Sequence, residues 1–233
     1  MDLLFSLALQ ILYGIANLAL ISLGLAIVFG MMRVINLAHG EFLMLGGYTV
    51  VVATNNGVNL WFAMLVLAPL VVGLIGLIVE RFLIQWLYGR MIDTLLATWG
   101  LSLLFIGIIT SIFGASTSTV ISPPLGTVTI GEYTSSGYEL FLISVVIILL
   151  ALVYLTLKFT SLGLVARATM QNSDMSACLG ISTSKIYMVT FSLGAAVSGL
   201  AGGLLVPITG VLPNIGVIYI AVSYTHLTLP TKV

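Results

Sequence analysis

The chain has 233 residues, of which 60% are hydrophobic and 6% charged, and its seven basic and seven acidic residues leave no net charge. A soluble domain is usually about one quarter charged, so with a mean hydropathy of +1.25 the solvent this sequence is built for is lipid. The balance leaves no basic footprint for nucleic acid, and a single cysteine, Cys178, excludes an internal disulfide.

A helix needs about 20 apolar residues to cross the hydrocarbon core. Six such stretches predict an all-α polytopic transmembrane bundle, with spans near 3–32, 34–53, 60–79, 92–113, 139–157 and 186–206. Asp2 is the only charge before the first of them, which favours a retained span over a cleaved leader. That span is too long for one upright helix, so it tilts or begins in the interface. Breaks are expected at Asn55-Asn56-Gly57, from Glu80-Arg81 to Arg90, and across 114–138 and 158–185. Within 114–138, "TVTIGEYT" reads as two short strands about a glycine turn. In the last span Ala195, Gly199 and Gly203 share one helical face, a spacing that lets backbones approach closely, within the subunit or at a subunit interface; Pro207 then ends or kinks the helix.

If the six spans alternate, Arg33, Arg81, Arg90, Lys158, Arg167 and Lys185 all fall on one side, while Asn55, Asn56, Glu132, Glu139 and the N-terminus fall on the other. Basic loops stay cytoplasmic. The N-terminus is therefore expected outside and 158–185 inside.

Ionisable groups within a span are costly and by default mark a pathway. "RVINLAHGEF" (33–42) places Arg33, Asn36, His39 and Glu41 in such a stretch. His39 and Glu41 are two apart and do not share a helical face, whereas Asn36 and His39 do. Asn36 also suits the cap of a helix that starts inside the membrane, with Gly40 marking a break or a close approach, an arrangement that builds midplane sites in transporters. The alternative is that His39 and Glu41 sit at the cytoplasmic rim and brace the fold.

"GMMRVINLAHGEFLMLGGYT" resembles the N-terminal signature of permease subunits of ABC importers for branched-chain amino acids and their urea and amide relatives. "YGRMIDTLLATWGLSLL" (88–104), "SLGLVARATMQNSDMSACLGI" (161–181) and "GVLPNIGVIYI" (210–220) resemble that family too, in family order, so the likeness covers about residues 10–220. The wordings "DTLLATWGLSL", "MQN" before "ACLGI" and "PNIGxxYI" are closest to the urea branch. The resemblance implies a multi-pass subunit of a bacterial inner membrane, without a cofactor. Its partners would be membrane lipid, a second related permease, cytoplasmic ATPases and an extracytoplasmic solute-binding protein. The polar residues at and near these motifs, Asn36, His39, Glu41, Asp93 and Thr94, are the expected substrate path. The stretch 158–185 is expected to dock an ATPase through a helix with Ala166, Met170 and Ala177 near one face and Gly180 as its stop, involving Arg167, Gln171, Asn172, Ala177 and Gly180. The expected cargo is urea or a short amide; a branched-chain amino acid is the alternative, as is an ATP-independent channel for a small neutral solute.

The residues themselves agree in what they lack. No GxxxxGK[ST] phosphate loop is present, and neither a metalloprotease nor a serine-hydrolase motif accompanies His39, so no enzyme is expected and no metal site. After Ile220 the chain reads "AVSYTHLTLPTKV". This resembles translated sequencing adapter joined to a truncated frame, so residues 1–220 are read as an incomplete permease domain and 221–233 as a foreign tail without function.

Overall fold

The computed structural model describes residues 2–32, 34–121, 123, 125–130 and 133–227. The bundle is built from α1 (Asp2–Met32), α2 (His39–Asn55), α3 (Leu60–Phe62), α4 (Ala68–Phe82), α5 (Met91–Phe113), α6 (Gly137–Phe159), α7 (Ser161–Gln171), α8 (Ser173–Cys178), α9 (Thr183–Thr209) and α10 (Ile215–Leu227). An antiparallel hairpin of β1 (Thr127–Ile130) and β2 (Tyr133–Ser136) precedes α6. This is the all-α polytopic membrane bundle expected from composition, and the hairpin falls where the glycine turn placed it.

Five helices are long and apolar enough to span: α1, the continuous stretch Leu60–Phe82, α5, α6 and α9. The stretch Leu60–Phe82 passes through a π-helical segment, Ala63–Leu67, in which the Ala68 N–H reaches the Ala63 carbonyl. Pro69 is the physical reason, since its ring has no N–H to donate and crowds the preceding turn.

The second expected span, 34–53, is not one helix. Residues 34–36 lie outside any helix and 37–38 form a turn, so α2 starts only at His39 and runs for 17 residues, about 25 Å at the usual rise. The N–H groups of the lead-in are met by side chains from elsewhere in the fold, as described below. Backbone is left outside a helix at membrane depth only where protein satisfies it.

The packing is organised about α9, which lies against α1, α2 and α4. Glycines make these contacts possible. A methyl added at Gly202 would lie 1.8 Å from the Leu43 carbonyl oxygen, and one at Gly46 would lie 2.1 Å from that of Gly199. Ala195, Gly199 and Gly203 pack against Gly76, Val72 and Ala68 of α4, so the small-residue face serves packing within the subunit. Pro207 neither stops nor breaks α9, which ends two residues later at Thr209 before Gly210 at φ +68°.

Two apolar clusters mark the two ends. One joins Ala16, Leu20, Met64, Tyr138 and Leu204 with Val58 and Val120 beside them; the other joins Val28, Val79, Ile84 and Phe191 with Met32 and Tyr88 beside them. Arg81, Arg90 and Lys185 belong to segments at the second end, where Tyr187 also meets the Tyr88 ring. Met31 and Met32 line a cavity there with Thr169 and Gln171, so Arg167 lies at that end as well. Arg33 is outside the described residues.

The segment read as one docking helix is two. α7 ends at Gln171, Asn172 takes extended angles, and its side-chain oxygen accepts the Met175 N–H to start α8. An asparagine bonding locally to the backbone competes with helix continuation. The Ala166, Met170, Ala177 face is therefore not continuous: Ala166 is buried, Met170 and Ala177 exposed. Gly180 stops the second helix with φ +83°, as read. Residues 221–227 of the segment read as a foreign tail continue α10, and 228–233 lie outside the described residues.

Candidate functional site

The break before α2 draws α2, α5 and α10 together. The Asn36 N–H donates to the Tyr224 hydroxyl oxygen at 2.9 Å, the Leu37 N–H to Thr98 Oγ1 at 3.1 Å, and the Ala38 N–H to Asn36 Oδ1 at 3.0 Å. Three successive peptide donors, orphaned because the chain is not helical here, are thus met by α10, by α5 and by the segment's own asparagine. The Asn36 carbonyl then accepts the His39 N–H at 3.3 Å, starting α2.

His39 is fully buried and bonded at both nitrogens. Nε2 lies 3.0 Å from the Ile21 carbonyl and therefore carries the proton, and Nδ1 lies 3.2 Å from Ser198 Oγ. The Ser198 hydroxyl also reaches the Gly194 carbonyl at 2.8 Å, so one hydroxyl hydrogen serves both neighbours. The ring ties α2 to α1 and α9, and does not pair with Glu41.

Glu41 is also fully buried, but incompletely satisfied. Oε1 accepts the Ser102 hydroxyl at 2.8 Å, while Oε2 has no hydrogen-bond partner among the described residues. Its carboxylate rests on the first turn of α10: a methyl added at Gly216 would lie 2.1 Å from Oε2. The backbones beside it touch, since a methyl at Gly40 would meet the Gly216 carbonyl oxygen at 1.9 Å. Of the two alternatives its position suggested, Gly40 thus marks the close approach and not a break, since α2 runs through it unbroken.

The partners on α5 form a stripe. Thr94, Thr98 and Ser102 recur every four residues and are buried, while Ile92, Leu96, Trp99 and Leu103 on other faces are exposed. In a lipid-facing helix this inversion, with polar groups inside, is the arrangement ionisable and hydroxyl groups require. Thr94 itself binds the Arg90 and Leu87 carbonyls at 2.8 and 3.0 Å, closing the turn before α5. Asp93 stands apart from Glu41 and Asn36. It is exposed at the start of α5 and lies 3.7 Å from Arg90.

Farther along the same seam the lining turns apolar. Leu45 and Tyr48 of α2, Leu67 of the π-helical segment, and Ile109 and Phe113 of α5 line an open cavity of about 370 Å³. Leu45 is one turn beyond Glu41, and Ile109 two turns beyond Ser102. Thr98, Ser102, Ser198 and Gly216 were not singled out from the sequence; the four-residue spacing of Thr94, Thr98 and Ser102 in an otherwise apolar span was the readable signal. The residues expected to dock an ATPase, Arg167, Gln171, Asn172, Ala177 and Gly180, are all exposed in or beside α7 and α8. Among the described residues no group of three His, Cys, Asp or Glu is placed to hold a metal.

Comparison with known proteins agrees with this architecture. A family profile described as branched-chain amino acid transport system, permease component, matches residues 7–226. The high-affinity branched-chain amino acid permease protein LivH of Escherichia coli is 27% identical over 216 residues, covering 85% of this chain and 69% of that protein. BraD of Pseudomonas aeruginosa, a permease of the same description, is 29% identical over 214 residues with the same coverages. A probable LivH of Methanocaldococcus jannaschii is 27% identical over 213 residues, 85% of this chain and 65% of that protein. No solved structure matches. The urea branch suggested by the motif wordings is not among these relatives. Through its match over nearly its whole length, and with a fold of membrane-length helices, the chain belongs to the family of permease components of branched-chain amino acid transport systems, and is a multi-pass transport component rather than an enzyme.

Proposed function

We propose that the chain is a permease subunit of an ATP-driven importer for branched-chain amino acids in a bacterial inner membrane. It would act with a second permease, two cytoplasmic ATPases and an extracytoplasmic binding protein. The substrate reading replaces urea or a short amide as the leading expectation, and the observation that carries it is the seam between α2 and α5. The seam begins with Asn36, Glu41, Thr98 and Ser102 and continues into the apolar cavity at Leu45 and Ile109. Urea is polar at every edge and gains nothing from that second half; an aliphatic amino acid matches both. His39, satisfied on both ring nitrogens, braces the seam, and Thr94 anchors its α5 wall. Asp93 at the rim meets the solute only at the end of the path.

The end that gathers Arg81, Arg90, Lys158, Arg167 and Lys185 is the cytoplasmic one by the distribution of basic loops, which puts the N-terminus and the β1–β2 hairpin outside. α7 and α8 then face the ATPase, with Arg167, Gln171, Asn172, Ala177 and Gly180 available to it.

The decisive experiment reconstitutes the full complex in liposomes and measures ATP-dependent uptake of leucine, isoleucine, valine, urea and acetamide. Saturable uptake of the three amino acids, unaffected by excess urea, is expected. Uptake of urea without leucine would overturn the substrate reading. Single cysteines at Ser161 and Thr134, in a Cys178→Ser background, test sidedness with an impermeant thiol reagent; labelling of 161 but not 134 in intact cells would reverse it.

A further inference from the structure

We propose that the ring contact between Tyr88 and Tyr187 is the positioning link through which the ATPase-facing helices α7 and α8 move the α5 wall of the seam. The inference rests on the permease reading above and names the side chains that would join its two working parts.

The link begins at the docking segment. Only residues 179–182 separate α8 from α9, and both α7 and α8 pack against α9. Tyr187, in the second turn of α9, lines an open cavity of about 320 Å³. Met31 and Met32 of α1 line it too, as do Thr169 and Asn172 at the break between α7 and α8. Close-packed interiors do not deform by small steps, so a cavity at that break leaves room for it to shift. This end of α9 is also outside the fixed core: residues 183–189 are half-buried or exposed, and the glycine contacts begin only at Gly194.

The Tyr187 ring meets that of Tyr88 with centroids 4.9 Å apart and planes inclined by 54°, within the range aromatic pairs favour. Tyr88 belongs to the connector between α4 and α5. Its hydroxyl donates to Oε1 of Glu80, which is buried on α4. A buried carboxylate is costly without a donor, so this bond fixes where the Tyr88 ring stands. The preceding carbonyl, that of Leu87, accepts the Thr94 hydroxyl and the Arg90 N–H, each at 3.0 Å. The connector is thereby bonded to the first turn of α5. Thr94 opens the hydroxyl stripe whose later members, Thr98 and Ser102, hold Leu37 and Glu41. With 17% of its spanning window buried, α5 has little other packing to resist a pull at this end. Coupling between distant sites travels through such packed side chains and rigid elements.

The test uses liposomes holding the full complex with its binding protein, in which ATP-driven leucine uptake and ATP hydrolysis are measured together. The readout is leucine taken up per ATP. Tyr88→Leu and Tyr187→Leu keep apolar bulk but remove a ring. Each is expected to lower the ratio about tenfold, within the usual size of a coupling between two sites, while hydrolysis continues and the ATPase still co-purifies. A mere brace would lower the amount of complex recovered and leave the ratio alone. The double variant should fall no further than the worse single one, because both changes break the same contact. Tyr187→Phe keeps the ring and should restore the wild-type ratio. Tyr88→Phe, which loses only the bond to Glu80, should lower it severalfold, and serves if the leucine variants do not assemble. A wild-type ratio in either leucine variant or in Tyr88→Phe would overturn the link, as would losses that multiply in the double variant. A wild-type complex without ATP-driven leucine uptake would instead overturn the permease reading, and the link with it.

Discussion

α9 and α5 are both apolar and long enough to span, yet 67% of the spanning window of α9 is buried inside the protein against 17% for α5. α9 is held by backbone-to-backbone contact: Gly194, Gly199 and Gly202 each sit where a methyl would strike a neighbouring main chain. α5 reaches the break before α2 through hydroxyls, chiefly Thr98 to Leu37 and Ser102 to Glu41, while Gly100 and Gly107 face open space. Close-packed interiors do not deform by small steps, whereas a seam closed by a few hydrogen bonds opens by exchanging partners. The difference separates a fixed core from a wall able to move.

The largest expected effect breaks the core side of this comparison. Gly202→Ala should destabilise the protein by about 3 kcal/mol or more, because neither Leu43 nor its backbone can retreat, and little assembled permease should be recovered from the membrane. Gly107→Ala on α5 should change stability by less than about 0.5 kcal/mol; equal recovery of the two variants would erase the distinction. His39→Ala comes next, at roughly 2–3 kcal/mol from a cavity and the lost bonds to Ile21 and Ser198. It should lower the thermal stability of the detergent-solubilised complex yet spare uptake per recovered complex, as fits a brace. Thr98→Val leaves the Leu37 N–H without its acceptor and should cost about 1–2 kcal/mol, with Thr98→Ser restoring the wild-type melting temperature. Smallest is Cys178→Ser, exposed at the end of α8; a shift beyond about 0.5 kcal/mol would mean that α8 is packed against something.

Much of this fold could be read from local composition. Apolar length found five spanning stretches within a few residues, Gly180 stopped its helix, and "TVTIGEYT" formed its hairpin, since each depends on neighbours in sequence. Asn36 announced the break before α2, and Gly40 the close approach beside it, because a polar side chain and a glycine inside an apolar run have few other uses. What escaped depends on pairing across the chain. Ser102 meets Glu41 from 61 residues away and Ser198 meets His39 from 159, distances at which periodicity carries no information. The division of the docking segment at Asn172 was missed for a different reason: its helical face looked continuous, and the side-chain cap that interrupts it competes locally with that pattern. The π-helical segment before Pro69 followed from a proline whose effect on the preceding turn was not weighed.

The claim that solute passes along the α2–α5 seam, beside a core that does not move, is tested most directly by locking each in turn. In the full complex with Cys178→Ser, one cysteine pair replaces Leu37 and Thr98, and another replaces Gly73 and Ala196, where a methyl at 73 would lie 3.1 Å from the Ala196 Cβ. Each pair is bridged with a reducible thiol cross-linker, and ATP-dependent leucine uptake is followed before and after reduction. Bridging the seam is expected to reduce uptake to background, with recovery on reduction, while bridging α4 to α9 leaves it unchanged. Full-rate uptake through a completely cross-linked seam would contradict the account.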